Sequence, residues 1–350
     1  MSLLLQFRAY SLPFRAPVRT AHGSWAVRTG VIVRLEDPAT GHVGWGEASP
    51  VPGFGSETVE ADAGLLRTLG AQPGEGDLAR IPPGLPCLRR ALATAIAALT
   101  TDSPPEVGAF LPVAALLPAG KEALATVPSK AEAGFRTFKW KVGVGAAGDE
   151  IALLDDLCAR LPDGARLRLD ANGAWDRRTA ERWLERCAER PVEFVEQPAF
   201  ARPAPGQASD PKVNDLLLGL AGDFPTPLAL DESLAGDGDV ERWLGAGWPG
   251  VFVVKPALHG DLETALTQLA RVKAAVVFSS ALETAVGMRS ALRTAFAWQA
   301  AQTPEKPRAL GFGVGPLFAD DRFNGPAAAP FLYREDVERL NPEAVWNALS

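Results

Sequence analysis

A rhythm that starts near residue 109 and runs to about residue 312 limits the folds open to this 350-residue sequence more than any other feature. Short apolar runs rich in β-branched and aromatic residues fall at 110–117, 137–142, 166–169, 192–195, 227–230, 251–254, 275–278 and 309–312. Between them lie stretches of helical period, among them DEIALLDDLCARL, DRRTAERWLERCAER and DLETALTQLARVK, each opening on an Asp at or near a cap position. Eight strands alternating with helices over roughly 200 residues predict an α/β chain built on a (β/α)8-type barrel. A doubly wound sheet is the competing architecture, but no strand is followed by a GxGxxG turn. GFGVG at 311–315 lacks the final spacing and comes at the end of the chain.

The first hundred residues follow a different pattern. Strand-like segments at 4–10, 27–35 and 42–47, with turns at PATG (38–41) and Gly44, lead into a helical region over 88–99. This predicts an α+β capping domain over 1–105 and the barrel over 106–324, with the Pro-rich TDSPPEV at 101–107 as linker. Residues 325–350 are expected to pack back on the first domain and complete it.

Whole function classes drop out on composition. A formal charge of −7 argues against nucleic acid or an anionic membrane as partner. No apolar run of about 18 residues is present to span a bilayer. The N-terminus reaches Arg8 too soon for a signal peptide. Cys87, Cys158 and Cys187 stand far apart, which speaks against structural zinc and a disulfide framework and for a soluble, cytoplasmic protein with reduced thiols. His22, His42 and His259 are scattered too, so any metal ligands should be carboxylates. His42 and His259 read as surface residues, and His22 as structural or exposed.

Carboxylates do recur where a barrel presents its mouth. RLRLDAN ends a strand at Asp170, VEFVEQP at Glu196 and LALDES at Asp231, spaced 26 and 35 residues apart, about one βα unit each. A cap at the next helix would explain any one of them. Three converging acids would repel and raise one another's pKa, and a divalent cation removes that penalty. Hard oxygen ligands with open positions suit Mg²⁺, with Mn²⁺ as a substitute. FKWKVG at 138–143 sets Lys139 and Lys141 on one face of a strand, and GVFVVKPAL places Lys255 at another strand end. Lysines on both sides of a metal suit removal of a proton next to a carboxylate, because the resulting enediolate needs strong charge stabilisation. Lys141 is the candidate base. Lys139 is its partner, lowering its pKa and holding a substrate carboxylate oxygen, and Lys255 is the opposing acid or cation.

Together, Lys-x-Lys, Asp-x-Asn, Glu-Gln-Pro, Asp-Glu-Ser and Lys-Pro-Ala resemble the enolase superfamily, in its muconate-lactonising-enzyme group. Within that group the chain looks most like the o-succinylbenzoate synthase family of menaquinone or phylloquinone biosynthesis. The resemblance implies that Asp170, Glu196 and Asp231 hold Mg²⁺. It also implies syn dehydration of 2-succinyl-6-hydroxy-2,4-cyclohexadiene-1-carboxylate, a small-molecule carboxylate, with Lys141 as base. N-acylamino-acid racemisation and muconate cycloisomerisation stay open. Dipeptide epimerisation is disfavoured, because GFGVGPL carries no acid before Asp320. Candidate supporting residues are Asn172 and Arg168 near the metal, Ser279 and Ser280 for the succinyl carboxylate, and Gly311 and Gly313 for close backbone approach. Arg168 could equally be an interior strand residue, the two serines helix caps, and the glycines packing positions. RTAHGSW (19–25) and PGFGS (52–56) read as mobile loops closing the mouth.

Overall fold

Two long strands, β1 (Leu4–Thr20) and β2 (Gly23–Glu36), pair antiparallel, and β3 (Val43–Ala48) adds on the far side of β2. This computed structural model describes residues 3–20, 23–51, 54, 57–100, 109–201, 210–302 and 307–349. Alternation along β2 buries Val31, Val33 and Leu35 against Leu88, Ala91, Leu92 and Ala95 of the helix Pro86–Thr100. The turn at 38–41 forms as its residues indicate, with Gly41 at φ 74° donating to the Asp37 carbonyl over 2.8 Å. Gly44, expected in a turn, lies inside β3. A side chain there or at Gly46 would meet the carbonyl of Ala95 or Ala91 at 1.8 and 1.9 Å, so the two glycines let the helix rest directly on the sheet.

β1 and β2 also run past their expected ends. Arg19, Thr20 and Gly23–Trp25 are strand residues rather than loop, and His22 falls outside the described residues. The linker expected at 101–107 does so as well.

The expected first barrel run, 110–117, is broken in two. β4 (Phe110–Pro112) leaves the main sheet, and β12 (Phe331–Tyr333) pairs antiparallel with it. Pro112 has no N–H to donate to a ladder, and the chain re-enters the barrel as β5 (Ala115–Leu117). There follow β6 (Thr137–Lys141), β7 (Arg166–Asp170), β8 (Val192–Glu196), β9 (Leu228–Leu230), β10 (Val251–Val254) and β11 (Ala275–Phe278). These seven strands form one curled parallel sheet in sequence order. Residues 309–312 do not form the regular eighth strand the sequence suggests. Instead Leu310 and Gly311 make isolated parallel bridges to Val113 and Ser279, closing the gap between β5 and β11. The architecture is enolase-like: a β-rich cap and a TIM-barrel-like sheet.

Helices lie outside the sheet. Asp176 caps Arg177–Cys187 through Thr179 N, and Asp261 caps Leu262–Arg271 through Thr264 N, as their motifs imply. Phe138 and Trp140 point into this outer layer, where Trp140 meets Trp183 edge-on at 6.1 Å. Phe194, Val251, Val253 and Val277 form a separate apolar cluster with Ala229. The final helix, Pro342–Ala348, reaches the cap: Trp346 packs on Trp45 at 5.5 Å and under the Arg8 guanidinium at 4.1 Å. His259, expected at the surface, is only 1% exposed, because the turn Pro256–Leu258 folds it back beside Gly236–Val240. Among the described residues no helix is long and apolar enough to cross a membrane.

One buried acid in the cap makes stability depend on pH. Asp62 is fully buried with both carboxylate oxygens unpartnered, and burial, reinforced by Glu57 and Glu60, pushes its pKa to about 8. Unfolded, an aspartate titrates near 4, so the folded state holds an extra proton between those values. The contribution is therefore full below pH ~4 and lost as pH rises through about 8. Asp62→Asn is expected to be more stable than the parent at pH 9, by about 1–3 kcal/mol, and to lose that advantage at pH 5. Urea unfolding at the two pH values measures it.

Candidate active site

The parallel register sets the site. Lys141 pairs in register with Asp170, and Asp170 with Glu196, so three consecutive strands end at one level. Asp231 immediately follows β9 and Lys255 immediately follows β10, which continues the ring. Because side chains alternate along β6, burying Phe138 and Trp140 outward turns Lys139 and Lys141 inward. The structure thus brings together all three candidate acids and all three candidate lysines.

Their contacts are specific. Lys139 Nζ lies 2.9 Å from Asp170 Oδ2 and 2.7 Å from Glu196 Oε1, bridging them. Lys255 Nζ is paired with Asp231 and stands 4.8 Å from the ring of Phe54. Lys141 makes no ion pair among the described residues, and its charge is still felt by Asp170. Lys139, expected to act mainly on Lys141 and substrate, is thus committed to two carboxylates in this structure.

Burial dominates the titrations. Glu196 is 2% exposed, and desolvation, with repulsion from Asp170 and Asp231, raises its pKa to about 8 despite Lys139 and Lys255. Asp170 shares Lys139 but goes the other way: burial pushes it up, and Lys139 and Lys141 together bring it below the usual range. Glu196 feels the repulsion of two neighbouring acids, whereas Asp170 takes the attraction of both β6 lysines. For Lys139 and Lys255, burial alone would favour the neutral amine, but the facing carboxylates outweigh it and hold both as cations.

Two residues that the motifs contain but the sequence reading passed over complete the shell. Gln197 is fully buried; its carbonyl accepts from Asp231 N (2.9 Å) and Ser233 N (3.2 Å), and its amide donates to Ser233 Oγ and the Ala199 carbonyl. Gln197 at φ 38° and Asn172 at φ 43° are left-handed non-glycine residues, and each directly follows or nearly follows a site acid. Glu232, 4% exposed, accepts from Asn172 Nδ2 at 3.0 Å, and burial with repulsion from Asp231 and Asp170 raises its pKa to about 8. Glu-Gln-Pro and Asp-Glu-Ser were the available signal, since each sets a second polar residue beside a strand-end acid.

This donor set fits a divalent cation. It consists wholly of hard oxygens, four buried carboxyl groups face three lysines, and Glu232 Oε2 and Asn172 Oδ1 are buried without a partner. As the side chains stand, the carboxylates are bridged by ammonium groups, and no three metal-type side chains among the described residues close on a common point.

Other candidates sit further off. Arg168 is two residues below Asp170, bonded to Glu193 (2.7 Å) and the Ala309 carbonyl (2.8 Å) and stacked on Phe194, so its guanidinium is used inside the barrel. Ser280 Oγ is taken by Glu283 and Leu282 N, in a turn ahead of the helix Ala285–Gln302. Ser279 Oγ contacts the Gly311 carbonyl at 3.2 Å. A Cβ on Gly311 would lie 2.5 Å from Ser279 Oγ and one on Gly313 2.0 Å from the Ala114 carbonyl, so both glycines are required by packing. Of 52–56, Phe54 is described, and its ring reaches Lys255.

The sequence matches the family described as Enolase C-terminal domain-like over residues 122–328 and that described as MenC, N-terminal domain, over residues 4–88. It is 42% identical over 314 residues to an o-succinylbenzoate synthase of Thermosynechococcus vestitus, covering 88% of this chain and 92% of that one. To an o-succinylbenzoate synthase of Thermobifida fusca it is 30% identical over 317 residues, 89% of this chain and 83% of the other. Among solved structures, o-succinylbenzoate synthase from Thermosynechococcus elongatus BP-1, complexed with Mg in the active site, superimposes with TM-score 0.79 at 39% identity, covering 99% of each chain. N-succinyl Arg/Lys racemase from Bacillus cereus gives TM-score 0.80 at 18% identity over 98% of each chain, a likeness of fold alone.

The Gln197 network generates a stability prediction. Gln197→Leu leaves the N–H groups of Asp231 and Ser233 unpaired in the interior and is expected to cost about 1–3 kcal/mol or more. Urea denaturation at neutral pH gives the value.

Proposed function

The chain belongs to the enolase-like family, with an N-terminal domain of the MenC type, and from that premise we propose that it is an o-succinylbenzoate synthase. The observation that carries this reading is the ring of strand-end carboxylates set between lysines from β6 and from the end of β10. The reaction is loss of water from 2-succinyl-6-hydroxy-2,4-cyclohexadiene-1-carboxylate, a step in menaquinone or phylloquinone biosynthesis. A charge of −7 and three free thiols support a cytoplasmic location.

Lys141, the lysine without an ion pair, is the base. Its amine takes the proton from the ring carbon that bears the carboxylate, and the bond's electrons move onto the carboxylate oxygens. The 6-hydroxyl then leaves on the same face and takes that proton from Lys141 as water. The new double bond completes an aromatic ring, and Lys141 is again neutral. Lys255, kept cationic by Asp231, Glu232 and Glu196, opposes the negative charge that develops on the substrate carboxylate. Lys139 keeps a positive charge beside Lys141 while orienting Asp170 and Glu196. Asp170, Glu196 and Asp231 would hold Mg²⁺, with Mn²⁺ as a substitute, and the bound ion supplies Lewis-acid charge at the substrate carboxylate. Phe54 lies where it would limit water at Lys255.

A spectrophotometric dehydration assay with Mg²⁺, run beside a racemase assay on N-succinyl amino acids, tests the reading. Rapid Mg²⁺-dependent dehydration that EDTA abolishes is expected. Fast racemisation without dehydration would overturn the substrate, since lysines on opposite sides also suit that reaction. In Lys141→Ala, turnover should fall by at least about 10²–10⁴-fold, and near-normal turnover would remove Lys141 as the base.

A further inference from the structure

Arg28 lies on β2, outside the site, and is fully buried, yet no carboxylate forms an ion pair with it among the described residues. Backbone carbonyls take its place. Nε donates to Leu282 O (3.0 Å), Nη1 to Pro50 O (2.7 Å) and Thr29 O (3.0 Å), and Nη2 to Ala281 O (3.3 Å) and Ser49 O. The ring of Trp25, near the end of the β1–β2 hairpin, stacks 5.1 Å from the guanidinium. A planar fork with five N–H groups can satisfy several carbonyls at fixed angles, which an ammonium cannot.

Apart from Thr29 O on β2 itself, the carbonyls belong to two segments that border the barrel mouth. From Pro50 the chain leads to Phe54, whose ring lies 4.8 Å from Lys255 Nζ. Ala281 and Leu282 follow Ser279 and Ser280 in the loop after β11, and Leu282 sits at φ 61°, a left-handed conformation unfavourable for leucine. Burying a charge to hold backbone carbonyls is costly, and it fits a need for geometry rather than for attraction alone. Glu47 on β3 offers a contrast. It accepts from Tyr10 OH (2.6 Å), Thr284 N (2.9 Å) and Gly287 N (2.8 Å), so it grips the start of the helix Ala285–Gln302 and none of the described residues of 49–54.

We propose that Arg28 is a positioning residue that locks Ser49 and Pro50 and the loop after β11 in one arrangement beside the barrel mouth, and so sets substrate affinity. The inference rests on the reading of the mouth given above.

Arg28→Lys and Glu47→Gln, compared with the parent, test it by amide hydrogen exchange and by steady-state kinetics. In Arg28→Lys, the amides of Ser49, Val51 and 279–284 should exchange faster. There KM should rise about tenfold with kcat changed less than about threefold, the scale of one charge-assisted hydrogen bond. Mg²⁺ affinity should not move. Glu47→Gln should lower the thermal midpoint and leave exchange at Ser49 and Val51 as in the parent. A folded Arg28→Lys protein with parental exchange in either segment, or with parental KM, overturns the proposal. If Arg28→Lys gives no folded protein, Trp25→Leu decides: a raised KM supports the proposal and an unchanged KM overturns it. Exchange needs no substrate, so a parent that fails to dehydrate the cyclohexadiene would contradict the proposed reaction and leave the Arg28 result readable.

Discussion

Two acids can stand side by side at the mouth of the barrel because Lys139 lies between Asp170 and Glu196. Strands that end at one level bring acids within reach of each other, and removed from water those acids would repel or take up protons. An ammonium on the inner face of β6 lets Asp170 stay ionised, and it tempers Glu196 without returning it to the ordinary range. Lys255 does the same for Asp231 from the other side. The site is thus an alternation of charges that is stable only as a set. Removing one member leaves a buried charge without compensation, which costs more than the pair itself contributes.

The cap is tied to that set by two further buried charges, and here the compensation is of another kind. Arg28 takes carbonyls both from the cap, at Thr29, Ser49 and Pro50, and from Ala281 and Leu282 after β11, while Glu47 accepts from the N–H groups of Thr284 and Gly287. Backbone dipoles from both the cap and the segment after β11 take the place of water around these charges. Such contacts are directional, so they fix where the cap's segments lie and not only that the two domains adhere. Apolar contact alone, as between Phe14 and Phe318, would allow more sliding.

Much of this was legible in the sequence because strand periodicity and fold geometry act together. Once apolar runs are assigned to parallel strands, the residue at each run's end must face the mouth, so Asp170, Glu196, Asp231 and Lys255 follow from local pattern. Lys139 and Lys141 follow from alternation. What local pattern could not carry is contact between distant segments. Gly44 reads as a turn residue until a helix some fifty residues later is laid on it. The stretch 309–312 reads as a strand, but Gly311 packs against Ser279 and only bridges form. Arg168 has the spacing of a site residue, and its partner Glu193 draws it into the barrel interior. Arg28 and Glu47 look like ordinary charged positions on cap strands, since their partners after β11 lie more than 230 residues away.

Isothermal titration with Mg²⁺ puts the central claim to the most direct test, because it asks whether the strand-end acids act as one centre. The account predicts that Asp170→Asn, Glu196→Gln and Asp231→Asn each weaken binding by at least about tenfold, while Lys141→Ala binds as the parent does. Parental affinity in any one of the three carboxylate variants would contradict it.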